Sequence, residues 1–148
     1  MRFKFFSVVP ESLDEIQAKE CYSVGELFCA KELLAIGMTN PDSACIGFGV
    51  EGRLYGVAGS YKQWAGSSQL WAVFDIESEK YPIALRRACQ QLILYTVKKQ
   101  DLHRVSLTVK SSYTQGNRFA KSLGFDFEGT MRAFLPCASD ANLYARLF

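Results

Sequence analysis

Two neighbouring stretches decide the fold: Asp101-Leu102-His103-Arg104-Val105-Ser106-Leu107-Thr108-Val109 and Arg118-Phe119-Ala120-Lys121-Ser122-Leu123-Gly124-Phe125-Asp126-Phe127-Glu128-Gly129-Thr130-Met131-Arg132. Val105, Leu107 and Val109 alternate with polar residues, the period of a strand with one apolar face. Ser111-Ser112 stand where helix caps belong and start a helix that reaches Leu123. Gly124 ends that helix, because glycine enters the left-handed backbone region without steric cost. Phe125 to Ala133 then reads as a second strand, so the segment is strand, short helix, glycine turn, strand.

Upstream, Leu85, Ala88, Cys89, Leu92, Ile93 and Thr96 recur at intervals of three and four, and Lys98-Lys99 sit where cations favour a helix C-terminus. This predicts the longest helix of the chain. Before it, Ala44 to Val50, Leu54 to Tyr61 and Gln69 to Ile76 are apolar runs divided by Glu51-Gly52-Arg53 and Ala65-Gly66-Ser67-Ser68. They read as an antiparallel meander.

At the start, Phe3 to Val9 is β-branched and aromatic and stops at Pro10, a good first helical residue followed by Glu11, Asp14 and Glu15. A helix to about Cys21 is expected. Leu27, Phe28, Leu33 and Leu34 predict a second helix that ends near Ile36, before Gly37 and the turn Asn40-Pro41-Asp42. Leu143 to Phe148 is the last strand, after the turn-rich Pro136 to Asp140. The order is therefore β-α-α-β-β-β-α-β-α-β-β, an α+β chain forming a single domain over 1–148.

Composition bounds what such a domain does. With 148 residues, 49% of them hydrophobic, the chain can bury one continuous core. A net charge of +2 supplies no field to recruit nucleic acid or anionic lipid, and Arg86-Arg87 and Lys98-Lys99 read as a solvated helix face. Cys21, Cys29, Cys45, Cys89 and Cys137 are scattered through apolar surroundings, and there is a single histidine, so no metal site is expected. An odd cysteine count fits a reducing compartment. Met1 to Val9 is too short for a signal segment, and nothing approaches a membrane span, so a cytoplasmic or virion-associated, non-secreted protein is expected.

The element order, together with Leu102-His103-Arg104, Arg118, Leu123-Gly124-Phe125, Glu128-Gly129 and Arg132, resembles the GNAT acetyltransferase superfamily. The nearest branch is the one that acetylates ribosomal-protein N-termini and small amines. The likeness is strongest over residues 70 to 133. It implies a mixed, mostly antiparallel twisted sheet of six to seven strands, with about four helices packed on both faces. It implies acetyl-CoA as acyl donor and, as partner, an amine-bearing protein or small molecule, with no membrane and no specific nucleic acid.

The resemblance also implies a site. Leu70 to Ile76 and Val105 to Val109 would splay apart and take the pantetheine arm, while the start of the long helix receives the pyrophosphate. Ile76, Lys80, Ile83, Ala84, Leu85, Arg86 and Arg118 become the cofactor-binding residues. Asp75 is the best-placed general base, with Glu77 and Glu79 next, and thiolate protonation would fall to Tyr113, a serine or water. Trp64 and Trp71 would line the acceptor groove.

The chain departs from the family pattern at two places. The phosphate loop (Arg/Gln)-x-x-Gly-x-(Gly/Ala) aligns with Lys80-Tyr81-Pro82-Ile83-Ala84-Leu85, so Ile83 and Leu85 replace glycines. In Asn-x-x-Ser-x-Arg, Tyr113 and Gly116 replace Asn and Ser while Arg118 fits, and Ala120 stands where other branches keep a tyrosine. Two classes of function follow. One is an N-acetyltransferase, and the other a catalytically inactive GNAT-fold protein that binds host or virion proteins, as in short-tailed phages.

Overall fold

The computed structural model describes residues 2–17, 31–33, 35, 36 and 43–148. Its centre is a seven-stranded sheet in the order β1-β2-β3-β4-β5-β7-β6. The strands are β1 (Lys4–Phe6), β2 (Ser43–Val50), β3 (Arg53–Trp64), β4 (Ser67–Phe74), β5 (Arg104–Lys110), β6 (Asp126–Met131) and β7 (Ala141–Leu147). All neighbours pair antiparallel except β4 and β5, which are parallel. The α+β architecture and mostly antiparallel sheet expected from the sequence are the ones found.

Local chemistry sets the turns. Glu51 and Gly52 both take positive φ (51° and 78°), the twist a two-residue hairpin needs between β2 and β3. The β3–β4 turn is Ala65-Gly66, shorter than the four-residue turn expected, because Ser67 and Ser68 already pair with β5. Gly66 has φ 81°, and a Cβ there would stand 2.3 Å from His103 Nδ1. The backbone N–H of His103 donates to Gly66 O at 2.9 Å. His103 thus locks the hairpin tip to the entry of β5.

Helix α1 spans Pro82–Gln100 and closes on Asp101 in the left-handed region; α2 spans Thr114–Ser122. Ser111 and Ser112 do not cap α2. The Ser111 hydroxyl donates to Asn142 Oδ1 at 2.9 Å instead. The start of α2 is held from inside by Asn117, whose Nδ2 donates to the carbonyls of Lys110, Ser111 and Tyr113 at 3.1, 3.4 and 2.7 Å. The N-terminal strand is also shorter than expected, and Pro10–Glu15 forms a 3-10 helix. Residues 31–33, 35 and 36 are helical. The first helix, expected to reach about Cys21, stops at Glu15, where Ile16 turns extended; the rest of the two expected helices, with Cys21, Cys29, Gly37 and Asn40-Pro41-Asp42, lies outside the described residues.

Strand alternation sends side chains into two cores. Phe3, Phe48, Tyr55, Val105 and Tyr144 pack with Leu85, Ala88, Cys89 and Ile93 of α1, and with Ala120 and Leu123 at the end of α2. On the opposite face Leu54, Val57 and Val73 pack with Val8, Leu13 and Ile16 beneath the Pro10–Glu15 turn. Each large side chain buried in this way contributes about 1.5–3 kcal/mol. The first core welds α1 across β3, β5 and β7, so the start of α1 is fixed relative to both central strands.

Candidate functional site

β4 and β5 pair at Ser67, Ser68 and Gln69 with Arg104, Val105 and Ser106, and no ladder pair joins Leu70–Phe74 to Leu107–Lys110. Each strand is still held on its far side, β4 by β3 and β5 by β7. The two therefore diverge as rigid arms of a V. Beyond the end of β4 lies a cleft of about 410 Å³, lined by Phe74, Ser78, Glu79, Pro82, Leu85, Tyr113, Gln115, Gly116 and Phe119. Phe74 ends β4, Pro82 and Leu85 start α1, and Tyr113 to Phe119 start α2, so two helix N-termini share one cleft.

Between β4 and α1 the chain makes a 3-10 helix, Ile76–Lys80, where the sequence suggested the end of a strand and a loop. Asp75 caps it and is 1% exposed. Its Oδ1 accepts from the Glu77 N–H at 2.8 Å and lies 3.5 Å from Arg53 Nη2; its Oδ2 accepts from the Gln17 N–H at 2.9 Å. Asp75 was expected to face the cleft as a base. It instead organises the loop from within and does not line the cleft, because a strand-end aspartate is an excellent acceptor for the next turn's N–H groups.

Ser78 is 1% exposed and borders the cleft, and its buried Oγ has no hydrogen-bond partner among the described residues. A buried hydroxyl left unpaired costs about 1–3 kcal/mol. A ligand that hydrogen-bonds Ser78 recovers that cost.

Tyr113 lines the cleft. Its ring lies against Gly116, where a Cβ would approach Tyr113 Cδ1 to 2.4 Å. The ring fills the space that a side chain at position 116 would need. Leu85 also lines the cleft, with its side chain anchored in the α1 core. Ala84 is buried in that core and is not part of the cleft wall.

The other expected site residues lie elsewhere. Ile83 is 74% exposed and does not block the cleft. Ile76 is exposed, its N–H donating to Gln17 O at 2.9 Å. Lys80 is hydrogen-bonded to Glu77, and that bond holds its ammonium pKa above the ordinary lysine value. Arg86 Nε donates to Ser122 O at 3.1 Å, tying α1 to the end of α2. Arg118 is exposed on α2 and outside the cleft lining. Trp64 is 64% exposed at the end of β3, and Trp71 packs against the Val57–Val73 core on the opposite sheet face. Neither tryptophan borders the cleft, because strand alternation assigns Trp71 to the face away from α1.

Sequence reasoning missed Ser78, whose burial is created by the unforeseen 3-10 turn, and Asn117, which carries no motif signal. Glu79, named after Asp75 as an acid of this loop, is the carboxylate that lines the cleft.

A CoA thioester presents two different ends to such a site. The diverging strands, the apolar walls and the orphaned Ser78 hydroxyl fit the amide-bearing pantetheine arm. The phosphate end fits poorly: Pro82 has no N–H to give at the first turn of α1, and Glu79 brings a negative charge. Among the described residues, no cluster of His, Cys, Asp and Glu could hold a metal, and no helix is long and apolar enough to cross a membrane.

No protein-family model and no curated protein matches the chain. Solved structures do match its fold. A spermidine N-acetyltransferase SpeG chimera from Vibrio cholerae and hSSAT superposes with a TM-score of 0.80 at 13% identity, covering 99% of this chain and 96% of that one. The ribosomal-protein-S5-alanine acetyltransferase from Vibrio fischeri gives 0.73 at 16%, covering 99% and 93%. Ard1 from Thermoplasma volcanium gives 0.75 at 14%, covering 99% and 98%. At these identities the likeness shows the fold, that of the GNAT acetyltransferases.

Proposed function

We propose that this chain is an N-acyltransferase that moves an acetyl group from acetyl-CoA to a primary amine. The observation that carries the reading is the cleft of about 410 Å³ between the end of β4 and the starts of α1 and α2, bordered by Ser78, whose buried hydroxyl has no hydrogen-bond partner among the described residues. Bound there, the thioester supplies an acyl carbon activated toward attack by an amine. Ser78 hydrogen-bonds the arm, and Phe74, Leu85 and Phe119 exclude water from its methylene groups. Tyr113 stands over Gly116 at the start of α2, where its hydroxyl protonates the departing sulfur as the C–S bond breaks, and the tyrosinate takes back the proton that the nitrogen loses as the C–N bond forms. The amine is that of a protein N-terminus or of a small polyamine, the two acceptor kinds that the names of the fold's neighbours carry.

A second reading is a non-catalytic binding or virion-associated protein on the same fold. The poor fit at the phosphate end favours it. One titration separates the two. Acetyl-CoA at millimolar concentration raises the melting temperature of an acyl-donor-binding protein by mass action, and Ser78→Ala weakens that effect. No shift and no heat of binding overturn the acyltransferase reading and leave the binding protein.

A further inference from the structure

We propose that the solvent face of α1 is a docking surface for an acidic, amphipathic helix of a partner protein. The helix contains no Asp or Glu, and its exposed side carries Arg86, Arg87, Lys98 and Lys99. Two aliphatic side chains stand among these cations, Ile83 at 74% exposure and Leu94 at 52%. A helix packed on a sheet ordinarily keeps polar residues on its far side, so both depart from the pattern. Leu94 is at least a good helix former, but helix propensity does not account for the β-branched Ile83.

These residues form a repeat. Ile83 with Arg87 and Leu94 with Lys98 are the same aliphatic–cation pair at i and i+4, and the second pair follows the first by eleven residues. Eleven residues make three turns plus about 20° and a rise of about 16 Å, so the pairs lie in one nearly straight stripe. The opposite side of the helix, with Leu85, Cys89 and Ile93, fills the core beneath. Arg2 adds to the charge, since it borders one shallow hollow together with Arg87. Among the described residues neither Arg87 nor Lys98 forms an ion pair. Their neighbours are engaged: Arg86 Nε is bonded to Ser122 O, and Lys99 Nζ lies 5.6 Å from the centre of the Tyr95 ring.

Charge complementarity selects the occupant. A helix laid along the stripe buries Ile83 and Leu94 and presents carboxylates to Arg87 and Lys98, whose stems stay on the apolar surface while their charges face the acids. Such a contact is short, in the range of transient complexes. A nucleic acid would use the cations but gain nothing from the two aliphatic side chains. A bilayer takes up a helix by a broad apolar face, and here cations interrupt that face at each pair.

The test is fluorescence anisotropy on the full chain with a labelled synthetic peptide of about 20 residues, long enough to hold a helix, that carries two leucine–glutamate pairs eleven residues apart. A peptide of the same composition in permuted order is the control. The patterned peptide is expected to bind at least about tenfold tighter than the permuted one. Arg87→Gln with Lys98→Gln, and separately Ile83→Ser with Leu94→Ser, should each weaken it by about tenfold. All four positions are exposed, so both double variants keep the fold, and their melting curves check this. Equal affinity for the two peptides, or unchanged affinity in both double variants, overturns the proposal. Vesicles of phosphatidylserine and phosphatidylcholine, or duplex RNA, bound through these side chains more tightly than the patterned peptide also overturn it and assign the stripe to lipid or phosphate. The acyltransferase reading is tested separately, because neither Ile83 nor Leu94 lines the cleft.

Discussion

The ring of Tyr113 occupies the space beside Gly116, so that a Cβ at position 116 would stand 2.4 Å from Tyr113 Cδ1 and 2.9 Å from Val109 Cγ1. Replacing a helical glycine by alanine ordinarily stabilises by about 1 kcal/mol. Here the sign reverses, because overpacking costs about 1–3 kcal/mol. Gly116→Ala therefore lowers stability in urea unfolding, and combining it with Tyr113→Ala recovers part of the loss. A stabilised Gly116→Ala protein would show that the ring does not sit where the structure places it.

The same turn depends on Asn117. Beyond its three donated bonds, its Oδ1 accepts from Asn142 Nδ2 at 2.8 Å and from the hydroxyl of Tyr144, a 1% exposed side chain, at 2.7 Å. Asn117→Leu strands the buried Tyr144 hydroxyl, the half-buried Asn142 amide and the carbonyls of the turn, at about 1–3 kcal/mol for each buried group left unpaired. Tyr144→Phe removes one donor cleanly and costs about 1 kcal/mol. A double-mutant cycle in urea should return a coupling energy of about 1 kcal/mol; a value near zero would remove the knot from the account.

How much of this was legible in the sequence depends on the range of the interaction. The strands and α1 announce themselves through apolar periodicity, since Val105, Leu107 and Val109 or Leu85, Ala88 and Ile93 each report their own burial. The β5–Gly124–β6 segment was legible for the same reason, and Gly124 takes φ 87° as its place after a helix demands. The cleft was legible only as geometry. Its chemistry turns on one short 3-10 helix, which carries no periodic signal. That helix buries Ser78, for which the sequence suggested no role, and spends the Asp75 carboxylate on capping instead of on the cleft. Trp64 and Trp71 misled because aromatic character does not say which sheet face a strand residue takes. Asn117 was invisible because each of its partners is fixed by tertiary structure.

Asp75 supplies a prediction that separates a cap from a base. Asp75→Ala orphans the N–H groups of Gln17 and Glu77 and unpairs Arg53, at about 2–4 kcal/mol. Asp75→Asn keeps an acceptor oxygen and recovers part of that. The expected outcome is a graded fall in melting temperature, alanine below asparagine below wild type. A base acting in the cleft would instead give an asparagine variant with wild-type stability and no turnover.

Arg104 on β5 and Glu128 on β6 reach each other across the intervening β7, with Nη1 to Oε2 at 2.9 Å. The hydrogen bond from Arg104 holds the Glu128 carboxyl below its ordinary value. A carboxylate with a lowered folded pKa contributes stability above the unfolded pKa, near 4.3, and loses it as pH falls through the folded value. The pair is substantially solvated, so the contribution at neutral pH is about 0.5 kcal/mol and shrinks in high salt. The stability difference between wild type and Glu128→Gln should therefore close as the solution is acidified, and an unchanged difference in acid would assign it to packing.

The cysteines differ in what their surroundings allow, and labelling reads this directly. Cys89 is packed between α1 and the sheet, and burial pushes its thiol up to about 12, whereas Cys137 is exposed in the loop before β7. The thiolate is the nucleophile, so Cys89 in the native chain is both out of reach and protonated at pH 8. Peptide mapping after brief iodoacetamide treatment should find Cys137 alkylated and Cys89 intact, with Cys89 reacting once urea unfolds the chain. Native labelling of Cys89 at a rate matching Cys137 would mean that α1 leaves the sheet under native conditions, and the rigid V on which the cleft depends would go with it.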